Sequence, residues 1–270
     1  MDMAELHPVS RGARGDGVLD VANDPLDHRC LAFADDQVPT YVSEGLSARY
    51  AIRLANTHDH RKAASYLMRK LYEWRGYSTD IVREDPTGVT LVASEGDRIS
   101  ATVTVGFDSP KGMAVESLYP DEVAQLRREG ARLCEFTRLA VDRAGHSMEL
   151  LGMLFHVAYL YARRVHEASH LLAEVNPRHL RFYQRMLGFH IAGPQRVCQR
   201  VDAPAVMISL LLDHAEDQIA LYGGHPELAQ TKRSLYPFFF APCDEEGIAR
   251  RLFASEMRGH AFEQGRLLHA

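Results

Sequence analysis

The stretch Cys134–Gly152, CEFTRLAVDRAGHSMELLG, decides the fold together with Asn176–Phe189, NPRHLRFYQRMLGF. The first belongs to a predicted strand, Arg132–Asp142, which leads through a glycine-containing turn into a helix that is apolar on nearly all sides. The second opens with Asn-Pro, a typical helix start, and stops at Gly188. A turn between a strand end and a helix start leaves backbone N–H groups unpaired, and such groups suit a phosphate.

The rest of the chain predicts strands and helices around these two segments. The predicted elements are a strand over 48–57, an amphipathic helix over 58–77, a β-hairpin over 88–108, a helix from Pro120, the strand and helix of the first segment, a strand over 170–175, the helix of the second segment, and a strand over 204–212. This order predicts an α+β fold with one mixed sheet and helices packed on its faces.

Composition bounds the domain organisation. With 270 residues, of which 46% are hydrophobic, the chain can bury a sizeable core. Residues 1–45 are rich in Gly, Asp, Arg and Pro and are predicted to form a mobile arm. Residues 46–213 form the predicted folded domain, and residues 214–270 a helical and loop extension. Within the extension, LYPFFFAPC (235–243) is apolar enough to cover a tunnel mouth or a subunit interface.

Charge and patterning exclude several classes. The formal net charge of -5 gives no basis for nucleic-acid binding, which calls for a strongly basic face. The four cysteines are widely spaced and predict free thiols in a reducing compartment. The chain starts without an apolar signal region, and no window approaches the ~20 apolar residues of a membrane span. A cytoplasmic protein without a transmembrane segment is therefore expected.

Arg164–His170, RVHEASH, contains the H-E-x-x-H signature of zinc hydrolases. That signature works when both histidines share one face of a continuous helix. Here the helix is predicted to end near Ala168, because HLLAEV reads as a strand, and His170 is then turned away from His166. Glu174 lies too close for the usual third ligand. We therefore predict no metal site, and a zinc hydrolase is the least favoured alternative.

The order and spacing of the two opening segments resemble the GNAT acyltransferase superfamily over about residues 48–212. CEFTRLAVD together with YAIRLANT and LYEWRGY is most similar to the long-chain N-acyl amino acid synthases, which are themselves similar to the acyl-homoserine-lactone synthases. The resemblance implies the acyl-CoA N-acyltransferase fold, a mixed, mostly antiparallel central sheet flanked by helices. It also implies transfer of a long-chain fatty acyl group to the amino group of an amino acid.

The turn departs from the superfamily's Q/R-x-x-G-x-G/A loop. It has one glycine, and the bulky Met148 stands where a small residue is expected. This poor cradle for a CoA pyrophosphate favours acyl carrier protein, with its 4′-phosphopantetheine arm, as the donor; acyl-CoA is the alternative. No tightly bound cofactor is expected. The predicted donor-binding residues are the strand backbone of Leu139, Ala140 and Val141, the turn residues Arg143, Gly145, His146 and Ser147, and Asn176, whose simpler role is a helix cap.

Attack of an amine on a thioester needs a base, polarisation of the carbonyl and an acid for the leaving thiolate. Glu135 is the predicted base, with pairing to a nearby arginine as its structural alternative. Arg138 either orients Glu135 or binds the acceptor's carboxylate. A spacing of three puts the two on opposite faces of a regular strand, but the resemblance implies a bulge that brings them together. Tyr183 matches the tyrosine that protonates the thiolate, with core packing as its alternative.

Arg178, Arg181 and Arg185 fall at i, i+3 and i+7 of the last predicted helix. They form either a solvated face or a dock for an acidic carrier protein. Three further functions stay open: a CoA-dependent N-acetyltransferase, a non-catalytic GNAT-like binding module, and a homoserine-lactone-type synthase using S-adenosylmethionine. The last is disfavoured because its acidic cluster is represented only by Asp80, Glu84 and Asp85.

Overall fold

The strands form one sheet whose order is β1-β2-β3-β4-β5-β6-β7-β10-β8, with β9 paired to β10. The computed structural model describes residues 29–32, 40–43, 50–55, 61–62, 64–69, 88–95, 98–142, 148–199 and 202–267. The strands are β1 (Arg29–Ala32), β2 (Thr40–Ser43), β3 (Tyr50–Leu54), β4 (Gly88–Glu95), β5 (Arg98–Phe107), β6 (Leu133–Val141), β7 (His170–Val175), β8 (His190–Ile191), β9 (Arg196–Cys198) and β10 (Ala203–Leu211). All described pairings are antiparallel except that of β6 with β7. The predicted mixed, mostly antiparallel sheet is confirmed.

The helices flank this sheet. They are α1 (61–62 and 64–69), α2 (Pro120–Arg128), α3 (Met148–Leu160), α4 (Leu180–Leu187), α5 (Leu212–Tyr222), α6 (Ala229–Lys232) and α7 (Pro242–Leu267). Pro120 starts α2, and Gly188 ends α4 in the left-handed conformation, as their sequence positions predict. No helix among the described residues is both long enough and apolar enough to span a membrane.

Helix α3 lies at the centre of the core. Every residue of α3 after Met148 is buried, as its apolar character on nearly all sides predicts. One side of α3 packs on the sheet, where Ala101, Val103 and Val105 of β5 face it. The extension covers the other side of α3, because the buried side chains of LYPFFFAPC and α7 belong to the same core cluster as α3.

The extension approaches α3 closely. A Cβ on Gly152 would lie 2.7 Å from Cβ of Phe238, so glycine allows the two backbones to meet. His156, fully buried on α3, accepts a hydrogen bond from the Phe240 amide at its Nδ1 (2.8 Å), and its Nε2 lies 3.1 Å from Oε1 of Glu245 on α7. The buried part of LYPFFFAPC, Leu235–Phe240, therefore packs against a helix of its own chain, and Pro242 and Cys243 are exposed.

The structure adds elements that the pattern of the sequence does not predict. Inside residues 1–45, predicted as a mobile arm, β1 and β2 extend the sheet beyond β3. The strands β8 and β9 are too short to give a periodic signal. Of the helix predicted over 58–77, residues 61–62 and 64–69 are helical, with Ala64, Leu67 and Met68 buried, and its other positions lie outside the described residues.

Candidate active site

Strand β6 contains a β-bulge. Between Thr137 and Ala140, β6 advances by three residues while its partner β5 advances by two. The extra residue lies at Arg138, whose φ of 54° is in the left-handed region. One extra residue in one strand of a pair is what defines a bulge. The bulge implied by the family resemblance is thus present.

The bulge resets which face of the sheet each side chain takes. Phe136 and Leu139, three residues apart, both pack against the core around α3. Glu135 directly precedes Phe136, and Arg138 directly precedes Leu139. Because successive side chains of a strand alternate between its two faces, Glu135 and Arg138 both lie on the face opposite α3. The two candidate catalytic residues therefore fall on one face despite their spacing.

Strands β6 and β7 pair over only part of their length. The parallel register runs from Leu133 with His170 to Phe136 with Ala173. Beyond it, no described strand pairs with Thr137–Val141 on this edge, while β7 continues alongside β10. The backbone of Leu139–Val141 thus has a sheet edge open to added hydrogen bonds. An extended chain with amide groups, such as pantetheine, can add to an edge of this kind.

Glu135 is held at the start of a 3-10 helix, Ala114–Ser117. Its Oε1 accepts the Ala114 amide at 2.8 Å and its Oε2 accepts the Val115 amide at 2.9 Å, and the residue is 2% exposed. Opposite on β5, a Cβ at Gly106 would lie 2.9 Å from Cγ of Glu135, so glycine makes room for this side chain. Backbone amides therefore orient the carboxylate, whose remaining lone pairs can still accept a proton.

The 3-10 helix Pro177–His179 and α4 carry two more candidates, Asn176 and Tyr183. The Asn176 side chain accepts the Arg178 amide at 3.2 Å and caps the 3-10 helix Pro177–His179, as a helix-capping role predicts. Tyr183 on α4 is half-buried and meets the ring of Phe189 edge-on, with 5.7 Å between ring centroids. A donor contact of Asn176 and an acid role of Tyr183 stay predictions.

The predicted phosphate-binding turn joins β6 to α3. Asp142 closes the strand with its amide 2.7 Å from the Ser100 carbonyl oxygen, and Met148 opens the helix. The turn residues Arg143, Gly145, His146 and Ser147 lie outside the described residues, as do Asp80, Glu84 and Asp85.

Arg178, Arg181 and Arg185 are all exposed. Within the part of the chain that the structure describes, none of the three forms an ion pair, and Arg178 donates instead from Nε to Nε2 of His179 at 3.0 Å. Other surface arginines pair with carboxylates, as Arg163 does with Asp213. The three cations thus present a basic surface on the helix that follows β7.

The H-E-x-x-H segment spans a junction. A π-helical turn, Tyr161–Val165, ends the long helix, Glu167 follows with φ of 52°, and His170 already belongs to β7. The His166 ring stacks on Phe107 with centroids 3.6 Å apart. The predicted break between the two histidines is confirmed. Among the described residues, no group of three or more His, Cys, Asp or Glu is arranged to hold a metal ion.

The face of the sheet opposite α3 holds polar residues that the sequence analysis did not single out. Thr102 and Thr104 of β5 are buried there, and Thr104 bonds Thr90 of β4 at 2.9 Å. Ser100, also buried, lies at the register shift between β4 and β5. Arg53 of β3 lies on the same face, between Ile52 and Leu54 of the core. The signal was available, because the hydroxyl residues alternate with apolar ones in RISATVTVGF.

Comparison with known proteins assigns the chain to a family. Residues 63–211 match the family model of the N-acyl amino acid synthase FeeM. The chain belongs to the FeeM family. It is therefore an N-acyl amino acid synthase, an acyltransferase, and the family implies an acyl thioester donor and an amino acid acceptor. The extension, residues 214–270, lies outside the matched residues.

Among solved structures, that of FeeM agrees with this assignment. The chain is similar to FeeM from uncultured soil microbes, with 28% identity and a TM-score of 0.58 over 63% of this chain and 95% of that one. It is also similar to a putative N-acetyltransferase from Lactobacillus plantarum (19% identity, TM-score 0.46, 60% and 98% covered). A third is the AHL synthase LasI (10% identity, TM-score 0.47, 62% and 91% covered). No curated protein matches the chain significantly.

Proposed function

We propose that this FeeM-family protein transfers a long-chain fatty acyl group from acyl carrier protein to the amino group of an amino acid. The observation that carries the proposal is the open edge of β6 over Thr137–Val141, next to a bulge and beside Glu135. The edge suits pantetheine, and the family supplies the class of reaction. Because acyl carrier protein works inside the cell, the reaction is expected in the cytoplasm.

The chemistry follows from this placement. The pantetheine amides pair with the backbone of Leu139–Val141, which positions the thioester carbonyl near the bulge. The acceptor nitrogen attacks that carbonyl, the C–N bond forms, and Glu135 takes the amine proton directly or through a water. The C–S bond then breaks, and Tyr183 donates a proton to the leaving thiolate. Arg138 orients Glu135 from the same face.

Two features favour acyl carrier protein over CoA as the donor. The turn after β6 has a single glycine and is therefore a poor cradle for the pyrophosphate of CoA. Met148 at the end of this turn packs against the core, so it is not a flexible surface side chain. The basic surface formed by Arg178, Arg181 and Arg185 is complementary to an acidic carrier protein.

The test compares donors directly. Purified protein receives palmitoyl-acyl carrier protein or palmitoyl-CoA with a mixture of the protein amino acids, and products are measured by mass spectrometry. We expect kcat/KM for the carrier-protein donor to exceed that for CoA by about tenfold or more, because the protein surface adds contacts. Equal or better use of CoA, or of acetyl-CoA, would instead support a CoA-dependent N-acyltransferase.

Charge reversal then tests the docking surface. Arg178→Glu, Arg181→Glu and Arg185→Glu, singly and together, are expected to lower kcat/KM for acyl-acyl carrier protein by about 5- to 100-fold while leaving palmitoyl-pantetheine turnover unchanged. Arg128→Glu is the matched control, since Arg128 is also exposed but lies on α2. An equal loss of kcat/KM with acyl-acyl carrier protein and with palmitoyl-pantetheine would show that these arginines do not bind the carrier protein.

A further inference from the structure

The last turn of α4 is held by donors from three consecutive residues of the extension. The Leu235 amide donates to the Met186 carbonyl oxygen at 2.9 Å, and Oγ of Ser234 donates to the same oxygen at 3.2 Å. The Tyr236 hydroxyl donates to the Leu187 carbonyl oxygen at 2.8 Å. The last carbonyls of a helix have no partner within the helix, so these bonds cap α4 from outside it.

The hydrogen bond from Tyr236 lies inside the protein, and the residue is 2% exposed. A buried carbonyl oxygen that loses its donor cannot turn to water instead, so the loss weakens the helix end that it belongs to. With eight residues, α4 is also too short to be stable by itself, and contacts with other elements must hold it. Tyr236 is therefore a main support of the C-terminal end of α4.

The same segment of the extension is fixed to α3. A Cβ on Gly152 would lie 3.3 Å from the Leu235 carbonyl oxygen, so the segment passes directly over this helix. Further along, the Phe240 amide donates to Nδ1 of His156 at 2.8 Å. Residues 234–240 thus bridge α3 and the C-terminal end of α4.

This bridge crosses the opening in the sheet. Helix α3 follows β6 in the chain, and α4 follows β7. The two strands pair only from Leu133 with His170 to Phe136 with Ala173. The hydrogen bonds of the sheet therefore do not fix the distance between the open edge of β6 and α4, and the segment 234–240 supplies a link between them.

Tyr183 lies one helical turn before the carbonyls that the extension holds. It precedes Leu187 by four residues, and its ring meets that of Phe189 edge-on. Under the proposed function, its hydroxyl must reach the sulfur of a thioester whose pantetheine arm lies along β6. A displacement of about 1 Å can lower the rate of a positioned reaction by about 10²-fold. The position of α4 beside this edge therefore decides how well the proton is transferred.

We propose that Ser234–Tyr236 position Tyr183 for protonation of the leaving thiolate, with Tyr236 as the main positioning residue. The inference rests on the proposed function, because it assigns a support to the acid of the same site. The segment lies outside the residues that match the family model. Its side chains act through α4, and Tyr183 remains the proton donor: the O–H proton passes to sulfur as the C–S bond breaks.

The test changes the leaving group. Palmitoyl-pantetheine releases an alkyl thiolate that needs a proton, whereas the palmitoyl thioester of 4-nitrothiophenol releases a more acidic thiol that departs as the anion. In Tyr183→Phe, kcat should fall by about 10²-fold with palmitoyl-pantetheine and by less than about threefold with the aryl thioester, after subtraction of the uncatalysed rate. Tyr236→Phe should lose about 3- to 30-fold with palmitoyl-pantetheine and less than about threefold with the aryl thioester, at an unchanged acceptor KM.

A double-mutant cycle shows whether Tyr236 acts through Tyr183. Because Tyr183→Phe already removes the acid, adding Tyr236→Phe should lower kcat with palmitoyl-pantetheine by less than about twofold. Ser234→Ala is a milder variant that keeps the fold, since the Leu235 amide still donates to the Met186 carbonyl oxygen. Its kcat should lie between those of the wild type and Tyr236→Phe.

Tyr119→Phe is the matched control. Tyr119 is also fully buried, and its hydroxyl also donates to backbone carbonyl oxygens, those of Pro194 at 3.0 Å and Ala205 at 2.9 Å. Its core cluster, as far as the structure describes it, contains no residue of α3 or α4. The variant should be less stable than the wild type, but its ratio of kcat between the two thioesters should equal that of the wild type.

Hydrogen exchange gives a readout that needs no acyl transfer. In Tyr236→Phe the amides of α4 should exchange about tenfold faster or more, whereas Tyr119→Phe should leave them unchanged. Unchanged exchange of α4 in Tyr236→Phe would overturn the positioning role.

The positioning role and the proposed function fail in different ways. Equal losses with the two thioesters in Tyr236→Phe, or full additivity in the double variant, would overturn the positioning role and leave the proposed function intact. Preference for CoA, or for an amine other than an amino acid, would overturn the proposed function. The ratio between the two leaving groups, measured with that amine, would then still decide the role of Tyr236.

Discussion

At the scale of single residues, Glu135 shows what the sequence can predict about a site and what it cannot. Its position before TRLAV singles it out as a candidate base. The amides that hold it belong to Ala114 and Val115, 21 and 20 residues earlier in the chain. No local pattern links a strand carboxylate to a 3-10 helix so far away. Polar partners of this kind depend on tertiary packing, which periodicity does not encode.

The carboxylate of Glu135 can be tested by substitution. Glu135→Gln places an NH2 group against one of the two backbone amides, so unfolding free energy should fall by about 1–3 kcal/mol. Acyl transfer should fall by about 10²- to 10⁴-fold because the base is lost. Steady-state kinetics at a temperature where the variant stays folded checks the second effect.

Glu116→Gln is the control for Glu135→Gln. Glu116 accepts the Met113 amide at 2.8 Å and pairs with Arg127, so its loss should also reduce stability. Glu116 belongs to the 3-10 helix whose amides hold Glu135, but Glu116 itself is not on the sheet. The folded variant should therefore keep its turnover. If both variants lose activity to the same extent, Glu135 acts through the fold alone.

At the scale of secondary-structure elements, the sequence predicts which segments are strands and helices better than how they join. The strand over 170–175 is predicted to the residue, α2 begins at Pro120 and α4 ends at Gly188, as Pro and Gly indicate. Pro177, predicted to begin the second of these helices, begins the 3-10 helix Pro177–His179 instead, and α4 begins at Leu180. The partial pairing of β6 with β7 is not visible in the sequence, because both strands keep their patterns beyond the point where they separate. The bulge at Arg138 was known only through the family resemblance.

Contact between α3 and the extension makes a clear prediction at this scale. Gly152→Ala puts a Cβ 2.7 Å from Cβ of Phe238 and 3.3 Å from the Leu235 carbonyl oxygen, and should lower the free energy of unfolding by about 1–3 kcal/mol. Gly247→Ala, in α7 with no atom within 4 Å of the new Cβ, should raise it by about 0.5–1 kcal/mol. Urea unfolding of both variants checks the pair, and destabilisation by both would argue against specific packing at Gly152.

His156 makes this contact sensitive to pH. Burial lowers the pKa of His156 below the usual 6.5, although the hydrogen bond to Glu245 opposes this shift. Arg164 and Asp244 are the other charged groups nearby. The neutral ring suits the contacts, since Nδ1 accepts from Phe240 and Nε2–H donates to Glu245. Burial disfavours the Glu245 carboxylate as well, but hydrogen bonds from His156 and Arg164 outweigh it and lower its pKa.

The direction in which stability changes with pH depends on whether the folded or the unfolded state binds the proton. Below about pH 6.5 the unfolded chain protonates His156 and the folded protein does not, so stability falls as pH falls, by up to about 1.4 kcal/mol per pH unit. Urea unfolding of the wild type and of His156→Gln between pH 8 and pH 5 isolates this contribution. Parallel pH profiles for the two proteins would show that His156 does not stay neutral in the fold.

At the scale of the whole molecule, the chain combines the residues that match the family model with an extension outside them. The FeeM structure corresponds to 63% of this chain, and the extension supplies the outer cover of α3. The apolar composition of LYPFFFAPC predicts that it covers a tunnel mouth or a subunit interface, and it covers α3 instead, because apolar side chains pack on any apolar surface and do not specify which one. The partners are set by Gly152 and His156, which fit the extension to α3.

The central claim is that this molecule makes N-acyl amino acids at the edge of β6. Mass spectrometry of lipids from cells that overproduce the protein, beside cells that overproduce Glu135→Gln, tests it most directly. We predict a new lipid with the mass of a long-chain fatty acid plus an amino acid less water, present only with the wild type. Folded wild-type protein in cells with plentiful acyl carrier protein, and no such lipid, would contradict the claim.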